Sequence, residues 1–228
     1  MGEVVHTGDY PTHEVVRHYT FVSTLAGREI KPETPKIHWR EAATPIKGLG
    51  EGDYIVLNPG SNEPGRRWPL TGYLDVARRL RRKGHRVVFT GKPGEMSGEA
   101  ALQDLPADPG VIDLCGRTSL PELMDLMKNA TAVVSNDSGP AHLSIALGTP
   151  TVVIVGGGHF GCFFPYPPAI APGHARFVYE AMECYHCFWR CPKRESKFDV
   201  FPCISAVGID RVWAGLTDLL PPAGKEAL

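Results

Sequence analysis

Apolar residues in this chain fall into short runs separated by segments with helical spacing. Tyr54-Ile55-Val56-Leu57 is the first run, closed by Asn58-Pro59-Gly60. Arg86 to Thr90, Val111 to Leu114, Ala132 to Val134, Thr151 to Val155 and Arg176 to Tyr179 repeat the form. Such runs are too short for helices and do not alternate, which marks strands buried on both faces. Between them, apolar positions recur at three- and four-residue steps. Leu70, Leu74, Ala77 and Leu80 form one stripe, ended by Lys83-Gly84; Leu120, Leu123, Met124 and Met127 form another. Ser119-Leu120-Pro121-Glu122 opens that second helix with capping-box spacing and an early proline. A weaker helix is predicted over Glu95 to Leu105, one over Pro140 to Leu147 with Gly148 as its stop, and a closing one over Val207 to Leu220 with Val212, Leu216 and Leu219 inward. Alternating buried strands and helices predict an α/β fold, a Rossmann-like doubly wound parallel sheet. Ligands bind such sheets beyond the carboxyl ends of the strands. The loops after Leu57, Thr90, Leu114, Val134 and Val155 are therefore expected to line a site.

Residues 1 to 50 follow a different pattern. Thr12 to Ala26 reads as one amphipathic helix, with Val15, Val16, Tyr19, Val22 and Leu25 on its apolar stripe and Gly27 at its end. Lys31-Pro32-Glu33-Thr34-Pro35 and the segment Ala42 to Gly52 have the composition of a linker. One helix and a linker cannot bury a core of their own. The expected division is residues 1–50 as the tail of a missing N-terminal domain plus linker, and residues 51–228 as one domain.

Composition narrows the classes. A chain of 228 residues can bury one good-sized core. Its 24 Lys and Arg against 25 Asp and Glu give a net charge of -1, so no electrostatic footprint of nucleic acid is present. The basic run Arg78-Arg79-Leu80-Arg81-Arg82-Lys83 complements the end of a predicted helix. No stretch approaches the ~18 apolar residues of a membrane span. The polar N-terminus lacks a signal peptide's apolar core, which makes the cytoplasm the expected location. Six cysteines there are expected as thiols or metal ligands rather than disulfides.

Two of the predicted loops carry the residue types an anion needs. Asn58 to Pro69 combines glycine, the donors Ser61 and Asn62, and the adjacent Arg66 and Arg67, either of which can pair with a phosphate. Ser135-Asn136-Asp137-Ser138-Gly139-Pro140-Ala141-His142 leads from a strand into a helix whose exposed first amides and dipole favour an anion. Asp137 can either cap that helix or accept hydrogen bonds from sugar hydroxyls, and His142 lies about one turn inside it.

These segments resemble the motifs of a known family. Pro59-Gly60-Ser61 through Arg66-Arg67-Trp68-Pro69, then Gly116-Arg117-Thr118-Ser119-Leu120-Pro121-Glu122-Leu123, then Ser135 to Leu143 followed by Ala146 to Thr151, are similar to three ordered signatures of the family 9 glycosyltransferases, the ADP-heptose:lipopolysaccharide heptosyltransferases. The likeness runs from about residue 10 to the end. It implies the GT-B arrangement of two facing Rossmann-like domains, with this chain as the C-terminal, donor-binding half. It implies Ser61, Asn62 and Arg66 at a diphosphate, with Arg66 standing where the family commonly has lysine. It further implies Thr118 at the base, Glu95 at the ribose, and Asp137, Ser138, Gly139 and His142 at the sugar-phosphate end. The implied reaction is inverting transfer from a nucleotide-diphosphate sugar, ADP-heptose or similar, to a lipopolysaccharide core or other bacterial surface glycan. No cofactor is required for it. The catalytic base is expected in the N-terminal domain, so none is assigned here. A peripheral position at the inner face of the cytoplasmic membrane is compatible with that role. The alternatives are a non-catalytic nucleotide-sugar-binding module or one half of a split enzyme; a GT-B epimerase lacks the Asp137 to His142 signature in this form.

One further cluster stands apart. Cys184-Tyr185-His186-Cys187-Phe188-Trp189-Arg190-Cys191-Pro192, followed by Cys203, forms a cysteine-rich insert over residues 184–203. Cys184, Cys187, Cys191 and Cys203 could supply four thiolates to a structural zinc or iron. Reduced thiols or a disulfide are the competing readings, and no catalytic role is expected of the cluster.

Overall fold

The structure, a computed structural model, describes residues 4–41, 46–93, 95 and 108–221. The apolar runs become strands β1 (Tyr54–Asn58), β2 (Arg86–Phe89), β3 (Val111–Asp113), β4 (Ala132–Asn136), β5 (Thr151–Ile154) and β6 (Ala175–Val178). The helices are α1 (Glu14–Ala26), α2 (Leu70–Arg82), α3 (Leu120–Lys128), α4 (Gly139–Ala146), α5 (Pro202–Ser205) and α6 (Ile209–Leu219). All strand pairs are parallel, in the order β3-β2-β1-β4-β5-β6. Chain direction across the sheet reverses between β1 and β4, where Val56 lies opposite Val133, and that is the switch point at which such sheets bind ligands.

Successive β1 residues serve opposite layers. Ile55 and Leu57 join Leu74, Ala77 and Leu80 of α2 and Val212 and Leu216 of α6 in one core cluster. Tyr54 and Val56 join Leu126 and Met127 of α3 in another. Beyond β5, Val153 and Val155 pack with Ala141 and Ile145 of α4 and with Phe164 and Tyr166. The predicted doubly wound sheet is therefore the observed one. The capping box on α3 is present too, with Ser119 N donating to Glu122 Oε2 (2.7 Å) and Glu122 N to Ser119 Oγ (3.4 Å).

Several local expectations change. β1 and β4 extend past their apolar runs into Asn58 and into Ser135 and Asn136, all buried. Those polar ends are affordable only because they are hydrogen-bonded; Asn58 Nδ2 donates to Thr90 O (3.1 Å) and Thr90 Oγ1 (3.0 Å). Leu120, predicted to face the core, is exposed. α1 forms as expected, with His13 Nδ1 accepting from Val15 N and Gly27 closing it in the left-handed region. Its stripe is only half used: Val15 and Val16 pack on the β5 side, whereas Val22 and Leu25 stay exposed.

The linker-like stretch is a pinned strap where it is described. Thr34 Oγ1 donates to Ile170 O, Ile37 N to Ala146 O, and Trp39 Nε1 to Asp125 Oδ1 (2.7 Å). Arg40 Nε bonds the same buried carboxylate (3.0 Å). The short α5 and the 3-10 turns at Pro64–Arg66 and Pro168–Ile170 carry no periodic signal and were not predicted. The helix expected over Glu95 to Leu105 lies, apart from Glu95, outside the described residues, as does Ala42 to Pro45 of the linker. Among the described residues no helix is long and apolar enough to cross a membrane.

Candidate functional site

Loops leaving β1, β2, β3 and β4 enclose a cavity of about 890 Å³ at the switch point. That is ample for a nucleotide-sized ligand, since small-molecule pockets run to roughly 300–1,000 Å³. Ser61, Asn62, Arg66, Glu95, Thr118, Asp137, Ser138 and Gly139 all line it. The sequence thus singled out eight residues that the fold brings to one place.

Asn136, at the end of β4, organises the β1 loop. Its Oδ1 accepts from Trp68 N (3.0 Å) and Tyr73 Oη (3.1 Å), and its Nδ2 donates to Pro59 O (2.7 Å) and Gly60 O (3.3 Å). Arg67 braces the same loop, donating through Nε and Nη2 to Ser61 O (2.9 and 2.7 Å) and pairing with Glu95 (3.5 Å). These bonds decide between the two arginines. Arg67 is committed to the protein, while Arg66 lines the cavity with its Nε buried and without an acceptor. Burial pulls the Arg66 pKa down and Asp137 and Glu63 push it back up; guanidinium nonetheless stays cationic throughout the physiological range. Lys92, in the Gly91-Lys92-Pro93 turn after β2, adds a second cation to the wall, with Nζ on Asn62 Oδ1 (2.5 Å). Its position at a carboxyl edge was the signal that could have found it.

The start of α4 faces the same space. Its N-cap is Ser138, whose side chain makes no cap bond and donates instead to Asn136 O (3.2 Å). Asp137 is therefore not the cap; Pro140 has no N–H and Ala141 N donates to Ser138 O (3.0 Å), so among the described residues the Ser138 and Gly139 amides are the ones left for an anion. Burial lifts the Asp137 carboxyl to about 6, with Arg66 opposing the shift. Thr118 and Ser119 line the cavity together with the apolar Leu120, Leu123 and Leu143, the last on α4 itself. Glu95 Oε2 accepts from Lys92 N (2.8 Å), which holds its carboxylate against Gly60 and Gly91 of the β1 and β2 loops.

His142 lies outside the cavity wall. It stacks on Phe164 (ring centroids 4.1 Å, 15° between planes), and burial, with a contribution from His13, lowers its pKa to about 4. It is a neutral, packed histidine on α4.

The cysteine expectation is not met by the geometry. Cys184, Cys187, Cys191 and Cys203 are free thiols, and among the described residues no three His, Cys, Asp or Glu side chains converge on a metal position. Cys203 Sγ, on α5, accepts from Gly157 N (3.3 Å); burial raises the Cys187 and Cys203 thiols, and the neighbouring Cys184 and Cys191 raise both further.

Comparison with known proteins places these features. The sequence model of glycosyltransferase family 9 (heptosyltransferase) matches residues 4–188. Lipooligosaccharide heptosyltransferase 2 of Haemophilus influenzae is 38% identical over 112 residues, covering 47% of this chain and 32% of the relative. The chain spans about a third of the length of the curated relatives it matches first. Among solved structures, the ADP-heptose lipopolysaccharide heptosyltransferase II of E. coli superposes with a TM-score of 0.56 at 25% identity, over 73% of this chain and 46% of that one. A family 9 glycosyl transferase from Veillonella parvula gives 0.65 at 23% identity, over 94% and 62%.

Proposed function

The chain belongs to glycosyltransferase family 9, and from that premise we propose that it binds a nucleotide-diphosphate sugar, ADP-heptose or a close analogue, for inverting transfer to a lipopolysaccharide core or other bacterial surface glycan. One observation carries the reading: Arg66, Lys92 and the uncapped start of α4 converge on a single cavity that is also lined by the apolar Leu120, Leu123 and Leu143. The diphosphate meets the cations and amides, and the base lies against Leu120, Leu123 and Leu143 with Thr118 beside it. Glu95 faces the ribose, and Asp137 the sugar hydroxyls.

In the transfer, a base takes the acceptor hydroxyl's proton and the freed oxygen attacks the anomeric carbon. The bond from that carbon to the diphosphate oxygen breaks, and the negative charge gathers on the departing diphosphate. Arg66, Lys92 and the Ser138 and Gly139 amides stabilise that charge. The base is proposed to come from a facing N-terminal domain, with residues 51–228 as the donor-binding unit and residues 1–50 as an extension packed on it. A cytoplasmic site of action belongs to the same reading. Release of ADP from ADP-heptose in the presence of a core glycan, with and without a separately supplied N-terminal domain, tests it. Turnover in the reconstituted mixture supports transfer; donor binding without turnover in either mixture favours a non-catalytic binding module.

Donor binding also has a proton signature. An anion placed beside Asp137 favours its neutral form, so the carboxyl pKa rises above its unliganded value of about 6. Binding at pH 6.5 is then accompanied by proton uptake. Calorimetry in buffers of different ionisation enthalpy reads the sign directly, and proton release would contradict the placement of the diphosphate.

The finer reading of the cysteine loop, a structural zinc or iron on Cys184, Cys187, Cys191 and Cys203, rests on the number and spacing of the thiols. No step of the transfer depends on it. Metal analysis of the purified chain decides the matter: a stoichiometric amount of zinc or iron upholds it, and a folded metal-free sample removes it.

A further inference from the structure

The loop from Cys184 to Cys191 reaches the cavity arginine through its aromatic residues. The Arg66 guanidinium carbon sits 4.1 Å from the ring centroid of Trp189. Delivering that indole is costly. His186, Phe188 and Trp189 all adopt the left-handed backbone region (φ 67°, 52° and 62°), which residues with a Cβ rarely enter. The loop is held there by His186 N donating to Gly157 O (2.7 Å) and Phe188 N to Gly158 O (3.0 Å). Its seat is the glycine run after β5. A Cβ on Gly158 would come within 2.2 Å of the Trp189 ring, and one on Gly156 within 2.6 Å. Trp189 also packs against Phe201 (ring centroids 4.9 Å).

A tryptophan placed only to fill a core ordinarily finds an acceptor for its N–H. Here Trp189 Nε1 is buried with no partner among the described residues, and so is Nε of the arginine lying over the ring. Backbone strain, glycine seat and orphaned donor are all accepted to set this ring against this guanidinium. We propose that Trp189 is a positioning residue of the donor site: its aromatic face fixes the Arg66 guanidinium at the cavity wall, leaving for the diphosphate the terminal Nη donors, which have no partner among the described residues. The proposal rests on the reading of Arg66 as the diphosphate's partner.

The test is calorimetric titration of the full chain with ADP and with adenosine, which lacks the phosphates. Trp189→Met keeps bulk but removes the aromatic face, and weakens ADP about tenfold, within the range of a desolvated cation–π contact, while adenosine is unchanged. Trp189→Phe keeps a face and stays within about twofold of wild type. In an Arg66→Ala background, Trp189→Met causes no further loss. Equal losses for ADP and adenosine, or an undiminished ADP affinity in Trp189→Met, overturn the proposal. So does the same loss in the Arg66→Ala background. Should Trp189→Met not fold, chain grown on fluorinated tryptophans supplies the readout, since fluorine weakens the ring's negative face with little change of shape. A graded loss of ADP affinity that vanishes in Trp189→Phe supports the positioning role, and no grading overturns it. Wild-type chain that binds neither compound overturns the donor-site reading and this inference together, whereas intact wild-type binding with indifferent Trp189 variants overturns the inference alone.

Discussion

Arg66→Ala is expected to weaken ADP binding about a hundredfold and to leave adenosine binding intact. Truncating one partner of a desolvated, hydrogen-bonded charge pair costs about 2–5 kcal/mol, and a hundredfold loss corresponds to about 2.7 kcal/mol. Arg66 suits that estimate because it lines the cavity, carries a buried Nε without an acceptor, and has no carboxylate in direct contact among the described residues. Arg67 is the control. Its guanidinium is committed to Ser61 O and Glu95, so Arg67→Ala acts on the loop's order and reduces ADP and adenosine affinity together. Arg66→Lys keeps the charge and loses the planar fork, with an intermediate loss of about tenfold. Calorimetric dissociation constants for the three variants measure this. Equal ADP affinity in Arg66→Ala and wild type would remove Arg66 from the site.

The second large effect concerns the fold beneath the site. Asn136→Leu is expected to destabilise the chain by about 4 kcal/mol. The substitution preserves approximate volume, yet it leaves Trp68 N, Tyr73 Oη, Pro59 O and Gly60 O without the bonds they make to the Asn136 side chain. Each unsatisfied buried group costs about 1–3 kcal/mol, with partial relaxation keeping the total near the lower end of the sum. In a domain of this size the melting temperature falls by about 10 °C. Tyr73→Phe removes one of those bonds and costs only about 1 kcal/mol. Thermal and urea unfolding of both variants provide the comparison. Asn136→Leu unfolding within 1 kcal/mol of wild type, in the sense of about one hydrogen bond's worth, would show that the loop is held some other way.

What could be read from the chain beforehand follows from the range of the forces involved. The six strands were visible because burial on both faces demands apolar runs, a local requirement. Their polar ends at Asn58 and Asn136 were not, since what makes them admissible is a partner from another loop. The strap failed for the same reason. Its Pro- and Thr-rich composition looked like a linker, whereas Trp39 and Arg40 find Asp125 some 85 residues away. The choice between Arg66 and Arg67 had no local answer either, as it is made by Ser61 O and Glu95. His142 belonged to a recognisable motif, but the ring of Phe164 set its surroundings. Cysteine number was legible, and convergence of thiols was not. Lys92 is not legible in the sequence because a lone lysine in a turn has no pattern, although its place after β2 is one expected to face a ligand.

Titration of the wild-type chain with ADP-heptose, alongside UDP- and GDP-sugars, bears most directly on the proposed donor site. Saturable binding of the ADP-sugar to one site, in preference to the other nucleotides and with uptake of a proton near pH 6.5, is the predicted result. A folded chain that binds none of the three would contradict the account.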